Sequence, residues 1–149
     1  MSVLERWAER YENMWDDVPS PSSPAEFWAI GKSRMEHGTA RLREEPTVTV
    51  DAMMRLATVI GKDPAVRERL ANGVSARLMA KAAGIWKHGQ DIGAVRRDLP
   101  VSHLLILVQE MKVALMRLSL PSDRAATVDE IEAFSRMHFD LVRRLCEER

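Results

Sequence analysis

The segment from Pro100 to Leu118 constrains the fold most, because its apolar residues cover nearly every side of a helix. It contains the run LLILV at positions 104–108 and a second apolar cluster, VALM, at positions 113–116. A surface helix carries one apolar stripe, so a helix that is apolar nearly all round needs partners on two sides. We therefore expect it to pack against the core of its own chain on one side and against something else on the other.

The rest of the chain shows the three-to-four-residue apolar periodicity of amphipathic helices, and strand signals are scarce. Only TVTV, at positions 47–50, alternates as a strand would, and its flanking Pro46 and Asp51 favour an extended linker. The sequence predicts one all-α domain over residues 1–149, a six-helix antiparallel bundle. The predicted helices span residues 2–18, 24–43, 51–60, 64–88, 100–118 and 127 to near the C-terminus.

Two of the predicted helices begin with clear capping signals. Ser23 is followed by Pro24 and Glu26, which gives a cap, a proline at the first helical position and an acid in the first turn. Thr127 and Glu130 have the spacing of a capping box, in which each side chain accepts a hydrogen bond from the other residue's backbone N–H. We therefore expect both helices to begin at these residues.

The segment GQDIGAVRRDLP, residues 89–100, which we call the corner, is rich in turn-forming residues. It matches neither the G-x-x-x-x-G-K-[ST] phosphate loop nor the G-x-G-x-x-G dinucleotide fingerprint between a strand and a helix. We expect Gly89 to cap the preceding helix in the left-handed region and Gly93 to permit a second turn. Asp98 is expected near the N-terminus of the next helix, where a negative charge is favourable. The corner is therefore predicted to be a turn between two helices and not a binding loop.

The charge balance of the chain argues against direct nucleic-acid binding. The 22 basic residues equal the 22 acidic residues, and the isoelectric point is near 6.9. Such a chain lacks the positive field that attracts nucleic acid of any sequence. No apolar run reaches the length of a membrane span, and charged residues interrupt the N-terminal segment where an export signal would be apolar. We therefore expect a soluble, cytoplasmic protein without a membrane partner.

Residues suited to catalysis or metal binding are sparse, so the sequence does not predict an enzyme. The four histidines, at positions 37, 88, 103 and 138, are dispersed and form neither an H-E-x-x-H motif nor a zinc-ligand spacing. The single cysteine, Cys146, cannot form an internal disulfide and is expected to be a small buried or interfacial side chain. We expect no metal and no cofactor.

Tryptophan and methionine are unusually frequent on the predicted inward faces of the helices. Such large, adaptable side chains can line an apolar ligand pocket, although ordinary core packing is the alternative for each residue taken singly. The candidate pocket residues are Trp7, Tyr11, Met14, Phe27, Trp28, Met35, Met53, Met54, Met79, Trp86 and Met111.

The segment DPAVRERL at positions 63–70, followed by the corner and then by a very apolar helix, resembles the C-terminal regulatory half of the TetR family of bacterial transcriptional repressors. In that family a helix opens with D-P-x-V-R, a corner reads G-x-x-x-G-x-x-R-x-D-x-P, and two final helices form the subunit interface. The helix start is matched by Asp63, Pro64, Val66 and Arg67. The corner is matched by Gly89, Gly93, Arg96, Asp98 and Pro100. The order and spacing of these features extend over residues 2–147.

The resemblance implies a homodimer in which the last two helices of each subunit form a four-helix bundle across a two-fold axis. It also implies an apolar effector pocket in each subunit, whose residues are not shared across the family. The expected interface residues are Leu104, Leu107, Val108, Leu115, Ile131, Phe134, His138 and Leu141.

Members of the family carry a helix-turn-helix ahead of the regulatory half, and the sequence from Met1 has no counterpart to it. We therefore expect contact with DNA only through a domain that is absent from this chain, whether removed or naturally missing. The sequence thus predicts the regulatory domain of a TetR-like repressor that binds a small apolar effector and dimerises. The alternative is a self-standing dimeric helical interaction protein without an effector.

Overall fold

The computed structural model describes residues 16–44, 64–65 and 74–149 of the chain, and the secondary structure in these ranges is helical. The described residues form four α-helices and no β-strand, so the all-α prediction is confirmed for this part of the chain. The four helices are α1 (Pro24–Leu42), α2 (Val74–Asp91), α3 (Val101–Ser119) and α4 (Val128–Cys146).

Several sequence predictions concern residues outside the described ranges. They include residues 2–15 of the first predicted helix, the third predicted helix at 51–60, the TVTV linker, and most of the first half of the fourth predicted helix. Residues 16–18, the predicted end of the first helix, are described and are not helical. The six-helix count therefore stays a prediction.

The first described helix begins as its sequence predicts. The Ser23 hydroxyl accepts a hydrogen bond from the Glu26 backbone N–H at 3.2 Å, and Pro24 occupies the first turn, where no hydrogen bond to its nitrogen is needed. The Glu26 carboxylate accepts hydrogen bonds from the backbone N–H of Ser22 at 2.7 Å and from its hydroxyl at 2.8 Å, which lowers the pKa of Glu26. The end of the loop that precedes α1 is thereby fixed.

The predicted capping box at the start of α4 is also confirmed. The Thr127 hydroxyl accepts a hydrogen bond from the Glu130 backbone N–H at 3.2 Å, and the Glu130 carboxylate accepts one from the Thr127 backbone N–H at 2.9 Å. The guanidinium of Arg124 donates to both oxygens of the same carboxylate, at 2.6 and 2.9 Å. Hydrogen bonds from Arg124 and from the Thr127 backbone hold the pKa of Glu130 at about 2.

The capping box predicts a pH dependence of stability. A carboxyl whose pKa falls from 4.5 to about 2 on folding stabilises the native state above pH 4.5, and this contribution is lost as the pH falls toward 2. We expect Glu130→Gln to flatten the dependence of the unfolding free energy on pH between these values. Urea unfolding at a series of pH values measures this free energy for the wild type and Glu130→Gln. The control is Glu110→Gln, on the exposed side of α3. Parallel curves for the wild type and Glu130→Gln would contradict the assignment.

Helix α4 lies between α1 and α3, α2 packs along α3, and Gly89 near the end of α2 approaches Phe27 of α1. At one end of the α1–α4 contact, Arg43 pairs with Asp129 at 2.8 Å and with Glu132 at 2.6 Å. Farther along, Gly31 lies so close to α4 that a β-carbon on it would be 3.2 Å from Cε2 of Phe139. Because the end of α1 meets the start of α4, the two helices run antiparallel.

The core sits where the four helices meet the corner. Its buried side chains come from the start of α1, from the corner, from the start of α3 and from the end of α4. They are Phe27, Trp28, Ala94, Val95, Leu104, Val142 and Cys146. The corner therefore contributes Ala94 and Val95 to the core, while its charged residues Asp91, Arg97 and Asp98 remain exposed.

The structure corrects the predicted role of Gly89. Helix α2 continues through Gly89 to Asp91, and the left-handed backbone conformation occurs at Gly93, whose φ is 75°. A β-carbon on Gly89 would lie 2.7 Å from both Cε2 of Phe27 and Cγ2 of Val95. Gly89 therefore allows close packing, and Gly93 provides the turn.

The predicted role of Asp98 also changes. No acidic residue lies in the first turn of α3, which begins at Val101 after Pro100. The carboxylate of Asp98 instead accepts hydrogen bonds from two nitrogens of Arg96, with Nε at 2.6 Å from Oδ1. This pair raises the pKa of Arg96 and lowers that of Asp98. It shapes the corner and does not cap the helix.

Candidate functional site

The corner is held by hydrogen bonds from segments far away in the sequence. The carbonyl of Ala94 accepts a bond from Nε1 of Trp28 at 3.1 Å and another from the backbone N–H of Glu148 at 3.3 Å. The backbone N–H of Arg96 donates to the carbonyl of Cys146 at 2.7 Å. The corner thus joins α1 to the residues that follow α4.

The residues after α4 pair with the corner like a short antiparallel ladder. Val95 and Glu147 form an isolated β-bridge, and the Glu148 carboxylate accepts from the Arg97 backbone N–H at 3.0 Å. Inside the turn, Nε2 of Gln90 donates to the carbonyls of Arg96 and Leu99, at 2.9 Å each. The buried polar groups of the corner are therefore satisfied within the fold, which agrees with its predicted role as a connection.

The one cysteine is buried at the contact between α4 and the corner. Burial raises the pKa of the Cys146 thiol to about 11, and the nearby Arg96 opposes part of this rise. A thiol with such a pKa is protonated at neutral pH, and only the thiolate is a strong nucleophile. The position agrees with the expectation of a small buried side chain.

The structure packs four of the six described pocket candidates together in the core cluster. Phe27 and Trp28 are buried core residues, Trp86 and Met111 are partly buried against the core, and Met35 is half-buried on α1. Met79 is exposed on α2 and lines a groove. The remaining candidates lie outside the described residues: Trp7, Tyr11, Met14, Met53 and Met54.

The interface candidates divide into buried and accessible residues. Leu104 is 0% exposed within the single chain, so it has no surface to offer a partner, and we leave it out of the interface. Ile131 and Phe134 are also buried in the chain's own packing. Leu107 is 45% exposed. Partial burial is seen for the other four candidates, Val108, Leu115, His138 and Leu141.

Helix α3 exposes large apolar side chains on two of its sides. Leu107 and Leu118 are eleven residues apart, which is about three helical turns, so they share one side. Leu118 is 82% exposed. Ile106, which is 61% exposed, precedes Leu107 by one residue and therefore lies about 100° around the helix from it. The candidate residues did not include Ile106 or Leu118, although the all-round apolar character of this segment is the signal that marks them.

His138 lies in the contact between α3 and α4. Its ring stacks on Phe134 with a centroid distance of 5.9 Å and an interplanar angle of 10°, and Nε2 is 3.4 Å from the carbonyl of Val108. Burial and the positive charge of Lys112 lower the pKa of His138. The ring is therefore neutral at neutral pH and forms part of an apolar contact.

Two open grooves lie on the described surface. One, of about 570 Å³, runs between α2 and α3 and is bordered by Met79, Leu105 and Ile106. The other, of about 490 Å³, lies between residues 18–19 and α1 and includes the polar side chains of Arg34 and His37. The first groove is the more apolar, and it contains the one described pocket candidate that is exposed.

Within the described ranges, the structure contains no cluster of three or more His, Cys, Asp or Glu side chains arranged to hold a metal ion. Nor does any helix in that part of the chain have the length and apolar character needed to cross a membrane. No protein-family model matches the chain, and comparisons with curated proteins and with solved structures give no match.

Proposed function

We propose that this chain is the regulatory domain of a transcriptional repressor similar to the TetR family, forming a homodimer and binding a small apolar effector. The proposal joins the family-like order of helices and corner to one structural observation. Helix α3 buries Leu104 completely, whereas Leu107 and Leu118, which lie within about 60° of Leu104 around the helix but farther along it, remain exposed. Helix α3 therefore has apolar surface that the described part of its own chain leaves exposed.

A second copy of the chain is the partner that the proposal assigns to this surface. Burying a leucine that is otherwise in water contributes roughly 1.5–3 kcal/mol, so Leu107 and Leu118 of two subunits supply a substantial part of a dimer's stability. The adjoining partly buried residues of α3 and α4, Val108, Leu115 and Leu141, extend the apolar surface. In the proposed dimer, α3 and α4 of both subunits form a four-helix bundle.

We expect Leu107→Glu to weaken the dimer at least tenfold, because the contact would then bury a carboxylate without a partner. Sedimentation equilibrium and size-exclusion chromatography over a range of concentrations measure the change. Leu107 is 45% exposed in the single chain, so a correctly folded monomer is expected.

The matched control is Gln109→Glu, which adds the same charge to an exposed position elsewhere on α3. Circular dichroism of both variants verifies the helical content. A dimer dissociation constant for Leu107→Glu equal to that of Gln109→Glu would refute this interface, and a wild-type monomer would refute the dimer itself.

The effector half of the proposal has a separate test. Thermal unfolding of the wild type with a library of small apolar compounds is expected to identify ligands that raise the midpoint, since a ligand of the native state stabilises it by mass action. If the protein dimerises and no compound shifts the midpoint, the self-standing helical interaction protein becomes the better description. The burial of Phe27 and Trp28 in the core is the observation that favours this alternative.

The DNA-related part of the proposal is tested on the gene. An in-frame helix-turn-helix encoded directly upstream of Met1 would support a repressor. In such a protein, an effector would act by favouring one arrangement of the two DNA-binding domains over another. An upstream stop codon with no helix-turn-helix would count against it.

A further inference from the structure

The groove between α2 and α3 has apolar walls from both helices. Met79, Ala80 and Ala83 of α2 form one wall, and Val101, Leu105 and Ile106 of α3 form the other. Its volume of about 570 Å³ falls within the range of small-molecule sites. The two alanines leave room between the larger Met79 and Ile106.

The polar groups of this groove gather at one end. Helices α2 and α3 are joined by the short corner and lie against each other, so neighbouring ends of the two helices meet there. Lys87 is near the end of α2 and Ser102 is at the start of α3, and both line the groove at the corner end. Met79 is eight residues before Lys87, which places it about 12 Å away along the helix.

This arrangement matches a ligand with a charged head and an apolar tail. The ammonium group of Lys87 complements an anionic head, and Met79, Leu105 and Ile106 would cover an alkyl tail. Lys87 forms an ion pair with Asp91 one turn farther along α2, but the two side chains are 63% and 56% exposed. An exposed pair of this spacing changes an equilibrium constant only about twofold, so a ligand carboxylate can replace Asp91 at little cost.

We propose that the α2–α3 groove is the effector site and that its ligand is an unbranched monocarboxylic acid of medium length, with the carboxylate at Lys87 and the tail toward Met79. This inference rests on the proposed effector-binding function and deepens it by naming the site and the class of ligand. The ligand is a free acid in solution, since the groove is sized for one short chain.

Three probes that share an alkyl chain and differ in the head group test the charge recognition. Isothermal titration calorimetry is expected to show that affinity falls from octanoate to 1-octanol and from 1-octanol to octylamine. The carboxylate should bind about twofold more tightly than the alcohol, the factor that an exposed ion pair supplies. Equal affinities for octanoate and octanol, or no binding of octanoate, would overturn the inference.

Two substitutions at the polar end are expected to act in opposite directions. Lys87→Gln removes the cation and should reduce octanoate affinity to that of octanol, with octanol binding unchanged. Asp91→Asn removes the competing carboxylate and should strengthen octanoate binding. Helix α1 offers matched controls, because Lys32 and Glu36 form an exposed ion pair of the same spacing, and Lys32→Gln and Glu36→Gln should alter neither affinity.

A substitution in the α3 wall of the groove tests whether the alkyl tail of the ligand binds there. Ile106→Glu places a carboxylate in the groove and should weaken octanoate and octanol at least tenfold, whereas Gln109→Glu on the same helix should not. If Lys87→Gln and Lys32→Gln have equal effects, or if Ile106→Glu leaves binding intact, the groove is not the site.

The outcomes separate this inference from the proposed function. If other apolar compounds raise the unfolding midpoint but octanoate binds no better than octanol, the ligand class is wrong and effector binding stands. If no apolar compound binds, the effector half of the proposed function fails as well, while dimerisation is judged by Leu107→Glu.

Discussion

Replacing Trp28 with alanine is expected to lower the free energy of unfolding by about 3–5 kcal/mol, the usual cost of truncating a buried aromatic side chain. Trp28 is 4% exposed and meets the rings of Phe27 and Phe139 edge-on, at centroid distances of 5.2 and 6.2 Å. The guanidinium of Arg143 lies 5.9 Å from the Trp28 ring. The substitution therefore removes packing that joins α1 to α4. Urea unfolding monitored by circular dichroism measures the loss.

The more conservative Trp28→Phe separates packing from hydrogen bonding. It retains an aromatic ring and removes the bond from Nε1 to the carbonyl of Ala94, which keeps its bond from the Glu148 backbone N–H, so this hydrogen bond is expected to account for a loss of about 0.5–1.5 kcal/mol. Trp86→Phe is the control, because Trp86 is a partly buried tryptophan of α2. If Trp28→Phe costs no more than Trp86→Phe, the Trp28–Ala94 hydrogen bond contributes nothing measurable.

Two glycine-to-alanine substitutions in α2 are expected to have opposite effects. A β-carbon on Gly84 meets no atom within 4 Å, so Gly84→Ala should raise the unfolding free energy by about 0.5–1 kcal/mol through the higher helix propensity of alanine. A β-carbon on Gly89 would lie 2.7 Å from both Phe27 and Val95. Because both side chains are buried and have little space to move, Gly89→Ala should lower the unfolding free energy by about 1–2 kcal/mol.

The pair is informative because both substitutions change helix propensity in the same way and differ in the space available. We expect the unfolding free energies of the two variants to differ by about 1.5–3 kcal/mol, measured in one buffer by urea or thermal unfolding. If both variants are stabilised, α2 does not approach Phe27 and Val95 as closely as described, and the corner would be less tightly packed than its burial indicates.

The features of this fold that could be predicted from sequence are those set by neighbouring residues. Ser23 and Thr127 begin their helices as expected, because a cap depends on groups within three or four positions of it. Pro100 likewise comes directly before α3. The all-α character followed from the apolar periodicity, which is also a local signal.

The corner was predicted as a connection, but its packing could not be predicted, because distant residues determine it. Gly89 has the sequence context of a helix cap, and only the positions of Phe27 and Val95 show that it permits close packing within the helix. The bond between Trp28 and Ala94 joins residues that are 66 positions apart. Local patterns contain no information on such contacts.

The sequence predicted that helix α3 has exposed apolar residues, but not which of its residues are exposed. The apolar character of residues 104–118 predicted a helix with two partners, and α3 buries Leu104 but exposes Ile106, Leu107 and Leu118. Which apolar residue faces which way depends on the placement of α4 and α2 around α3. Leu104 therefore lies in the core, although its residue type would suit an interface equally well.

The antiparallel contact of α1 with α4 has a consequence for the order of folding. Arg43 and Asp129 are 86 positions apart, whereas α3 and α4 are neighbours in the chain and can associate as a local hairpin. Closing a long loop costs more entropy than closing a short one, and folding rates fall as the sequence separation of contacts rises. We therefore expect the α3–α4 hairpin to form early and α1 to dock late, which makes this protein a slow folder for a helical one.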